Sequence, residues 1–151
     1  MRAYVDTCVF GGAFDQEFAV VTQQFFDQVK HGRFSLVISA TVVAEISESP
    51  LHVQAFFDEL MTDYLTIVPV SLAARQLQQA YLDAGIVTGK YADDALHVAV
   101  ASISDCALIV SWNFKHIVHF QKIPQYNAVN VVNGYRPLSI YSPLEVMNYD
   151  E

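Results

Sequence analysis

The chain has 151 residues, of which 53% are hydrophobic, and its formal net charge is −8. This length and composition argue against disorder and predict a single domain over residues 1–151 with a buried core. The acidic balance argues against a protein that binds nucleic acids through a broad basic face. It leaves open an enzyme acting on nucleic acids whose acidic side chains hold cations.

The cysteines and the N-terminal segment indicate a cytoplasmic protein. No apolar run approaches the ~20 residues that a transmembrane helix needs. Asp6 interrupts what would be the apolar region of a signal peptide. Cys8 and Cys106 have no metal-finger spacing, so we expect them to be free thiols.

Short apolar runs alternate with helical patterns along the chain. Strands are predicted over 2–5, 34–38, 65–68, 107–110 and 138–141. Helices are predicted over 15–31, from a Thr41 cap to Pro50, over 51–62, over 72–84, from Asp93 to before Asp105, and over 144–147. One or two helical turns are expected over 113–120, and loops over 7–12 and 121–134. This alternation predicts an α/β fold with a mostly parallel sheet.

The stretch from Tyr91 to His116, YADDALHVAVASISDCALIVSWNFKH, organises the prediction. Two aspartates open a helix that is apolar on most sides, which indicates a buried helix. A continuous apolar run follows, as in a central strand of a parallel sheet, and it ends at a polar turn over 111–113. Ligands of open α/β sheets lie beyond the carboxyl ends of the strands, so we expect a site there.

Three acids can meet at that edge of the sheet. Asp6 follows the first strand, Glu45 lies one turn into the helix after the second strand, and Asp94 opens the central helix. Each acid alone would be an ordinary turn, cap or surface residue. Three like charges in one place persist only with a cation between them. Hard oxygen ligands favour Mg²⁺ or Mn²⁺.

Four motifs in order resemble a known family. They are VDTCVF, VVAEI, DDALHVAVA and LIVSWNFKHI, and SIYSPLEV near the end is similar to the closing strand and helix of that family. Together they resemble the PIN domain, and more narrowly the VapC-type ribonuclease toxins. The resemblance covers nearly the whole chain and implies a three-layer α/β/α fold, a homodimer, a cognate antitoxin and Mg²⁺- or Mn²⁺-dependent hydrolysis of RNA.

The resemblance also implies roles for individual residues. Asp6 and Asp94 would hold the cation, and Glu45 would hold a second cation or orient the attacking water. The fourth family position falls on Asn113, where the family often has Asp, so this chain offers a neutral carbonyl instead of a charge. Weaker site candidates on or beside the motifs are Asp93, Thr7, Ser111 and His116.

Two other functions remain open from the sequence. One is a PIN-fold module that binds RNA or protein without cutting, because Asn113 weakens the site. The other is a phosphohydrolase with an aspartyl nucleophile, although that chemistry usually needs a second Asp where this chain has Cys8. We also expect His97 to be a buried core histidine with satisfied hydrogen bonds, and Cys8 to be a small buried hydrophobe.

Overall fold

Five parallel strands form the sheet at the centre of the computed structural model, which describes residues 1–148. Numbered in chain order, they are β1 (Arg2–Val5), β2 (Ser35–Ser39), β3 (Leu65–Val68), β4 (Leu108–Val110) and β5 (Ser139–Tyr141). They lie in the order β3-β2-β1-β4-β5, and each neighbouring pair is parallel. The predicted parallel sheet is therefore confirmed.

Helices cover the sheet on both sides, because strands that are buried on both faces need two apolar layers. The helices are α1 (Thr7–Gly12), α2 (Ala19–Lys30), α3 (Ala40–Ser47), α4 (Leu51–Met61), α5 (Leu72–Asp83), α6 (Ala92–Ile103), α7 (Lys122–Val132) and α8 (Pro143–Asn148). Helix α5 packs against α6 and α7, while α1 packs against α2, α3 and α4, and α2 against α8. The predicted α/β class is confirmed.

The strand order contains one switch point, between β1 and β4. From β1 the chain proceeds outward to β2 and β3, and it then returns to β4 on the other side of β1. Val5 and Val110 are register partners at the ends of these two strands. The loops after β1 and β4 therefore diverge and leave a crevice, where Asp6 and Ser111 are the first residues beyond the strands.

The segment after β1 is helical, so the predicted loop over 7–12 is wrong. Helix α1 runs from Thr7 to Gly12, and the next helix begins at Ala19 instead of residue 15. The Gly11-Gly12 pair suggested a loop, but Gly12 serves close packing. A Cβ at Gly12 would lie 2.7 Å from Trp112 Nε1, whereas a Cβ at Gly11 would meet nothing within 4 Å.

The predicted loop insertion over 121–134 is also wrong, because most of it is helix α7. Pro124 lies in the first turn, where the backbone N–H needs no partner within the helix. Tyr126 and Asn130 are one turn apart and buried, and both contact Tyr81 of α5. This tertiary contact outweighs the low helix propensity of the asparagines.

Smaller corrections concern helix ends. The N-cap of α3 is Ser39, whose Oγ accepts the N–H of Val42 at 3.4 Å, and not Thr41. The helical turn expected over 113–120 is present but short: Asn113 O accepts from Ile117 and Val118, and no longer helix forms in this segment. Among the described residues, no helix is long and apolar enough to span a membrane.

Candidate functional site

Asp6 is a buried carboxylate at the switch point of the sheet. Its side chain is 4% exposed, and two neutral groups donate to it: Ser111 Oγ to Oδ2 at 2.8 Å, and Cys8 Sγ to Oδ1 at 2.9 Å. Burial raises the pKa of Asp6, and the charge of Asp94 adds to this, although His97 and the two hydrogen bonds act against it. The two hydrogen bonds thus fix the orientation of the carboxylate, but neighbouring groups offset its negative charge only in part.

Cys8 is not the buried hydrophobe expected from the sequence. The residue is exposed, while its sulfur donates to Asp6 and accepts the N–H of Trp112 at 3.3 Å. Desolvation of the sulfur and the charge of Asp6 raise the pKa of Cys8, so the thiol stays protonated and acts as a donor. Cys8 therefore does not supply the second acid that an aspartyl phosphohydrolase usually needs at this position.

Glu45 is joined to the core by a chain of polar side chains. Its Oε1 accepts from Thr7 Oγ1 at 2.9 Å and from His97 Nε2 at 2.8 Å. The other ring nitrogen, Nδ1, lies 2.7 Å from Tyr4 OH, which lies 2.8 Å from Ser39 Oγ. Burial acts to raise the pKa of Glu45, but the bonds from His97 and Thr7 outweigh it and leave the pKa lower than usual.

His97 has its expected place in the core, with 2% exposure, but it also belongs to the site. Burial favours the neutral ring. The hydrogen bond to Glu45 and the charges of Asp6, Glu45 and Asp94 outweigh that effect and raise the pKa of His97. This buried imidazole therefore belongs to the site through its hydrogen bond to Glu45, and the charges of all three acids act on it.

Asp94 lies in the first turn of α6, half-buried, and it is paired with Asn113. Burial raises the pKa of Asp94, while the hydrogen bond from Asn113 and the two nearby histidines act against it. Asn113 Oδ1 accepts the N–H of His116 at 2.9 Å. A backbone N–H can only donate, so this contact identifies the carbonyl oxygen and directs the amide NH₂ group of Asn113 towards Asp94.

The weaker candidates differ in their surroundings. Thr7 and Ser111 hold the carboxylates of Glu45 and Asp6, respectively. The rings of His116 and Tyr91 are in contact, with centroids 3.8 Å apart and planes tilted by 31°. Asp93 is exposed, and its side chain makes no hydrogen bond or ion pair within residues 1–148, so it lies outside this network.

The donor set suits one hard divalent cation better than two. Asp6 and Asp94 are desolvated carboxylates, the charge of Asp94 raises the pKa of Asp6, and the charge of Glu45 raises the pKa of Asp94, which is the arrangement that a cation relieves. Glu45 already shares its Oε1 with two donors, and the Asn113 carbonyl is used by His116. In the described part of the chain, no group of three or more His, Cys, Asp or Glu side chains is preformed for a metal.

Sequence reasoning missed the polar chain behind Glu45. One signal was available: His97 lies three residues after Asp94, so both fall on one face of α6. The hydroxyl of Tyr4, between the apolar residues Ala3 and Val5, is a second signal, because a buried tyrosine needs a hydrogen-bond partner. Neither signal could have identified Ser39 or Cys8.

Comparison with known proteins finds similarity at the level of structure. No protein-family model matches the chain, and no curated protein matches it. The fold is similar to a chain in the crystal structure of VapBC2 from Rickettsia felis bound to a DNA fragment from their promoter. The sequences are 19% identical, the TM-score is 0.61, and the match covers 94% of this chain and 98% of that chain. The identity is too low to carry chemistry, but the match supports the α/β/α fold implied by the resemblance.

Proposed function

We propose that this protein is a divalent-metal-dependent endoribonuclease of the PIN-domain, VapC type. The observation that carries the proposal is the buried Asp6 carboxylate at the switch point of a parallel sheet, coupled to Asp94. Burying a carboxylate without a cationic partner costs stability, so such a group is expected where function requires it. The similarity in fold and the four sequence motifs support the same function.

In this proposal Asp6 and Asp94 hold Mg²⁺ or Mn²⁺. When bound, the cation lowers the pKa of water and offsets negative charge that develops on the phosphate. Ser111 and Cys8 orient Asp6 by donating to its two oxygens. Thr7 and His97 hold Glu45 through Oε1, while Oε2 has no hydrogen-bond partner in the described part of the chain. That second oxygen is available to orient the attacking water.

The proposed biological role is that of a toxin in a type II toxin–antitoxin pair. The solved structure with the similar fold is described as a VapBC2 complex bound to promoter DNA. By analogy, we infer a cognate antitoxin protein as a partner, RNA as the substrate and the cytoplasm as the location. The two free cysteines are compatible with a reducing compartment.

The test is RNA cleavage by the purified protein with Mg²⁺ or Mn²⁺, compared with EDTA. Asp6→Asn and Asp94→Asn should each lose most of the activity, because each removes one of two ligand charges. Asp93→Asn is the matched control, since it alters the neighbouring exposed acid. Wild-type rates in either Asp6→Asn or Asp94→Asn would show that the assigned site is wrong.

A second candidate is a PIN-fold module that binds RNA or protein with weakened or absent nuclease activity. The observation in its favour is that Asn113 uses its side-chain oxygen for His116 and donates to Asp94, so the group facing Asp94 is a donor instead of a ligand oxygen. This candidate would be selected if the protein binds RNA but does not cleave it in the presence of metal. The Mn²⁺ affinity of the same protein is measured first, so that a missing metal is not the cause.

A further inference from the structure

Two exposed lysines converge on one aromatic ring beside the candidate site. The Nζ atoms of Lys90 and Lys115 each lie 5.6 Å from the ring centroid of Tyr91. Because the two distances share one centroid, the ammonium groups are no more than about 11 Å apart, and the ring attracts both. The arrangement gathers two positive charges from segments separated by the whole of α6 and β4.

These lysines lack the acidic partners that the composition makes available. The chain has 16 Asp and Glu residues against 8 Lys and Arg residues, so an exposed lysine has many possible carboxylate partners. Within residues 1–148, neither Lys90 nor Lys115 forms a salt bridge. Their positive charge is therefore available to an external anion, in a protein whose net charge is strongly negative.

The ring that gathers the lysines is fixed to the candidate site. The ring of Tyr91 contacts that of His116 in a tilted arrangement with centroids 3.8 Å apart, and Tyr126 OH donates to His116 O at 2.8 Å. The N–H of His116 donates to Asn113, which in turn donates to Asp94. Both ring nitrogens of His116 are buried with no hydrogen-bond partner in the described residues, which is costly and indicates a missing polar partner.

We propose that Lys90 and Lys115 form a phosphate-binding subsite for single-stranded RNA, and this proposal rests on the function proposed above. The subsite would bind backbone phosphates next to the nucleotide at Asp94. Single strands are favoured because exposed aromatic rings follow β4: Phe114 is 48% and Phe120 92% exposed, and unpaired bases can stack on such rings. RNA is favoured over an acidic protein segment because the proposed function already brings RNA to Asp94, beside these lysines.

The test is equilibrium binding of a fluorescein-labelled single-stranded RNA oligonucleotide, measured by anisotropy in EDTA over a series of salt concentrations. All proteins carry Asp6→Asn, so that RNA is not consumed. The Lys90→Ala/Lys115→Ala variant should bind more weakly, and its log Kd against log[salt] slope should fall by about 1.4, or 0.7 for each lost phosphate contact. The control is Lys30→Ala/Arg75→Ala, which removes two exposed charges on α2 and α5 and should leave the slope unchanged.

Tyr91 variants test whether RNA binding needs the ring that holds the two lysines together, or only the charge of the lysines. Tyr91→Phe keeps the ring and should keep the slope, whereas Tyr91→Leu keeps both lysines but should weaken binding because they are no longer gathered. An unchanged slope in the double-lysine variant would overturn the subsite. Tighter lysine-dependent binding of a duplex, or of a polyglutamate peptide, would also overturn it in favour of another partner.

The outcome is distinguishable from failure of the proposed nuclease function. Lysine-dependent RNA binding by a protein that never cleaves RNA would support the subsite and reject the nuclease. Metal-dependent cleavage by a Lys90→Ala/Lys115→Ala protein with wild-type Asp6, at the wild-type KM, would support the nuclease and reject the subsite.

Discussion

At the scale of single residues, mainly neutral donors hold the acids of the candidate site. Asp6 accepts from a hydroxyl and a thiol, Asp94 from an amide, and Glu45 from a hydroxyl and an imidazole. Within residues 1–148, the only salt bridge to these three carboxylates is that between His97 and Glu45. Such a site orients its carboxylates while keeping them electrostatically open to a cation.

Asp6→Asn should raise the thermal stability of the protein in EDTA while it removes activity. The folded-state pKa of Asp6 is raised, so the wild type loses stability as pH rises through that pKa, and the amide does not. The gap in Tm should be absent below the ordinary pKa of 3.8. The gap should be largest at neutral pH, where each kcal/mol of stability corresponds to a Tm shift of ~2–4 °C in a domain of this size.

The same experiment tests the metal without using activity. Mn²⁺ should raise the Tm of the wild type and of Asp58→Asn, a control at an exposed position of α4, because ligands that bind the folded state stabilise it. It should leave the Tm of Asp6→Asn almost unchanged. An equal Mn²⁺ effect on all three proteins would remove Asp6 from the metal site.

Asn113→Asp should tighten Mn²⁺ binding and lower stability in EDTA. The new carboxylate would face Asp94 in place of a hydrogen-bond donor, so the two charges repel unless a cation lies between them. Calorimetric titration with Mn²⁺ measures the affinity, and Gln24→Glu on the exposed face of α2 controls for the added charge. Equal affinities in wild type and Asn113→Asp would make Asn113 a structural turn residue.

At the scale of elements, the short helix α1 connects the site to the aromatic core. Phe10 of α1 packs against Phe26 of α2 and Phe57 of α4, with centroid distances of 5.5 and 5.2 Å. Gly12 at the end of α1 lies against Trp112, the residue that follows Ser111. The contacts of one short helix therefore set the position of Asp6 at its start and of the turn after β4.

Gly12→Ala should destabilise the protein, and Gly11→Ala should not. The Cβ at position 12 would lie 2.7 Å from Trp112 Nε1 and 3.0 Å from Thr22 Oγ1, so packed side chains must shift, at a cost of about 1–3 kcal/mol. At position 11 the space is open, and replacing a helical glycine gains up to about 1 kcal/mol. Urea unfolding measures both values, and similar midpoints for the two variants would contradict the packing argument.

At the scale of the whole molecule, the aromatic side chains of α2 and α4 are largely used in the core. Phe25, Phe26 and Val29 of α2 are buried, as are Val53, Phe57 and Leu60 of α4. Exposed apolar side chains remain at Val20 of α2 and Leu51 of α4. These two helices therefore leave little apolar surface uncovered, and the family resemblance carries the expectation of a homodimer.

A homodimer is the expected state in solution. Light scattering at micromolar concentration should give twice the chain mass of 16.9 kDa. Val20→Lys and Leu51→Lys alter one exposed apolar residue on each of the two helices, and loss of the dimer in one variant would identify the surface. A monomeric wild type at this concentration would contradict the expectation.

The sequence by itself determined the α/β class, the strand segments and the candidate acids. Strand runs such as 65–68 and helical patterns such as 72–84 are local, and the structure agrees with both. The sequence also identified Asp6, Glu45 and Asp94 as candidates, because polar residues that follow buried strands or begin buried helices can be recognised from the sequence pattern alone.

Only the tertiary structure decided the features that depend on contacts between distant segments. Helices α1 and α7 form against local signals, because Gly12 packs on Trp112 and Asn130 bonds to Tyr81. The direction of the Asn113 amide and the link from Tyr4 through His97 to Glu45 likewise join separate elements. Such contacts involve partners 49 to 100 residues apart in most cases, and local sequence patterns carry no information about which side chains fill the same space.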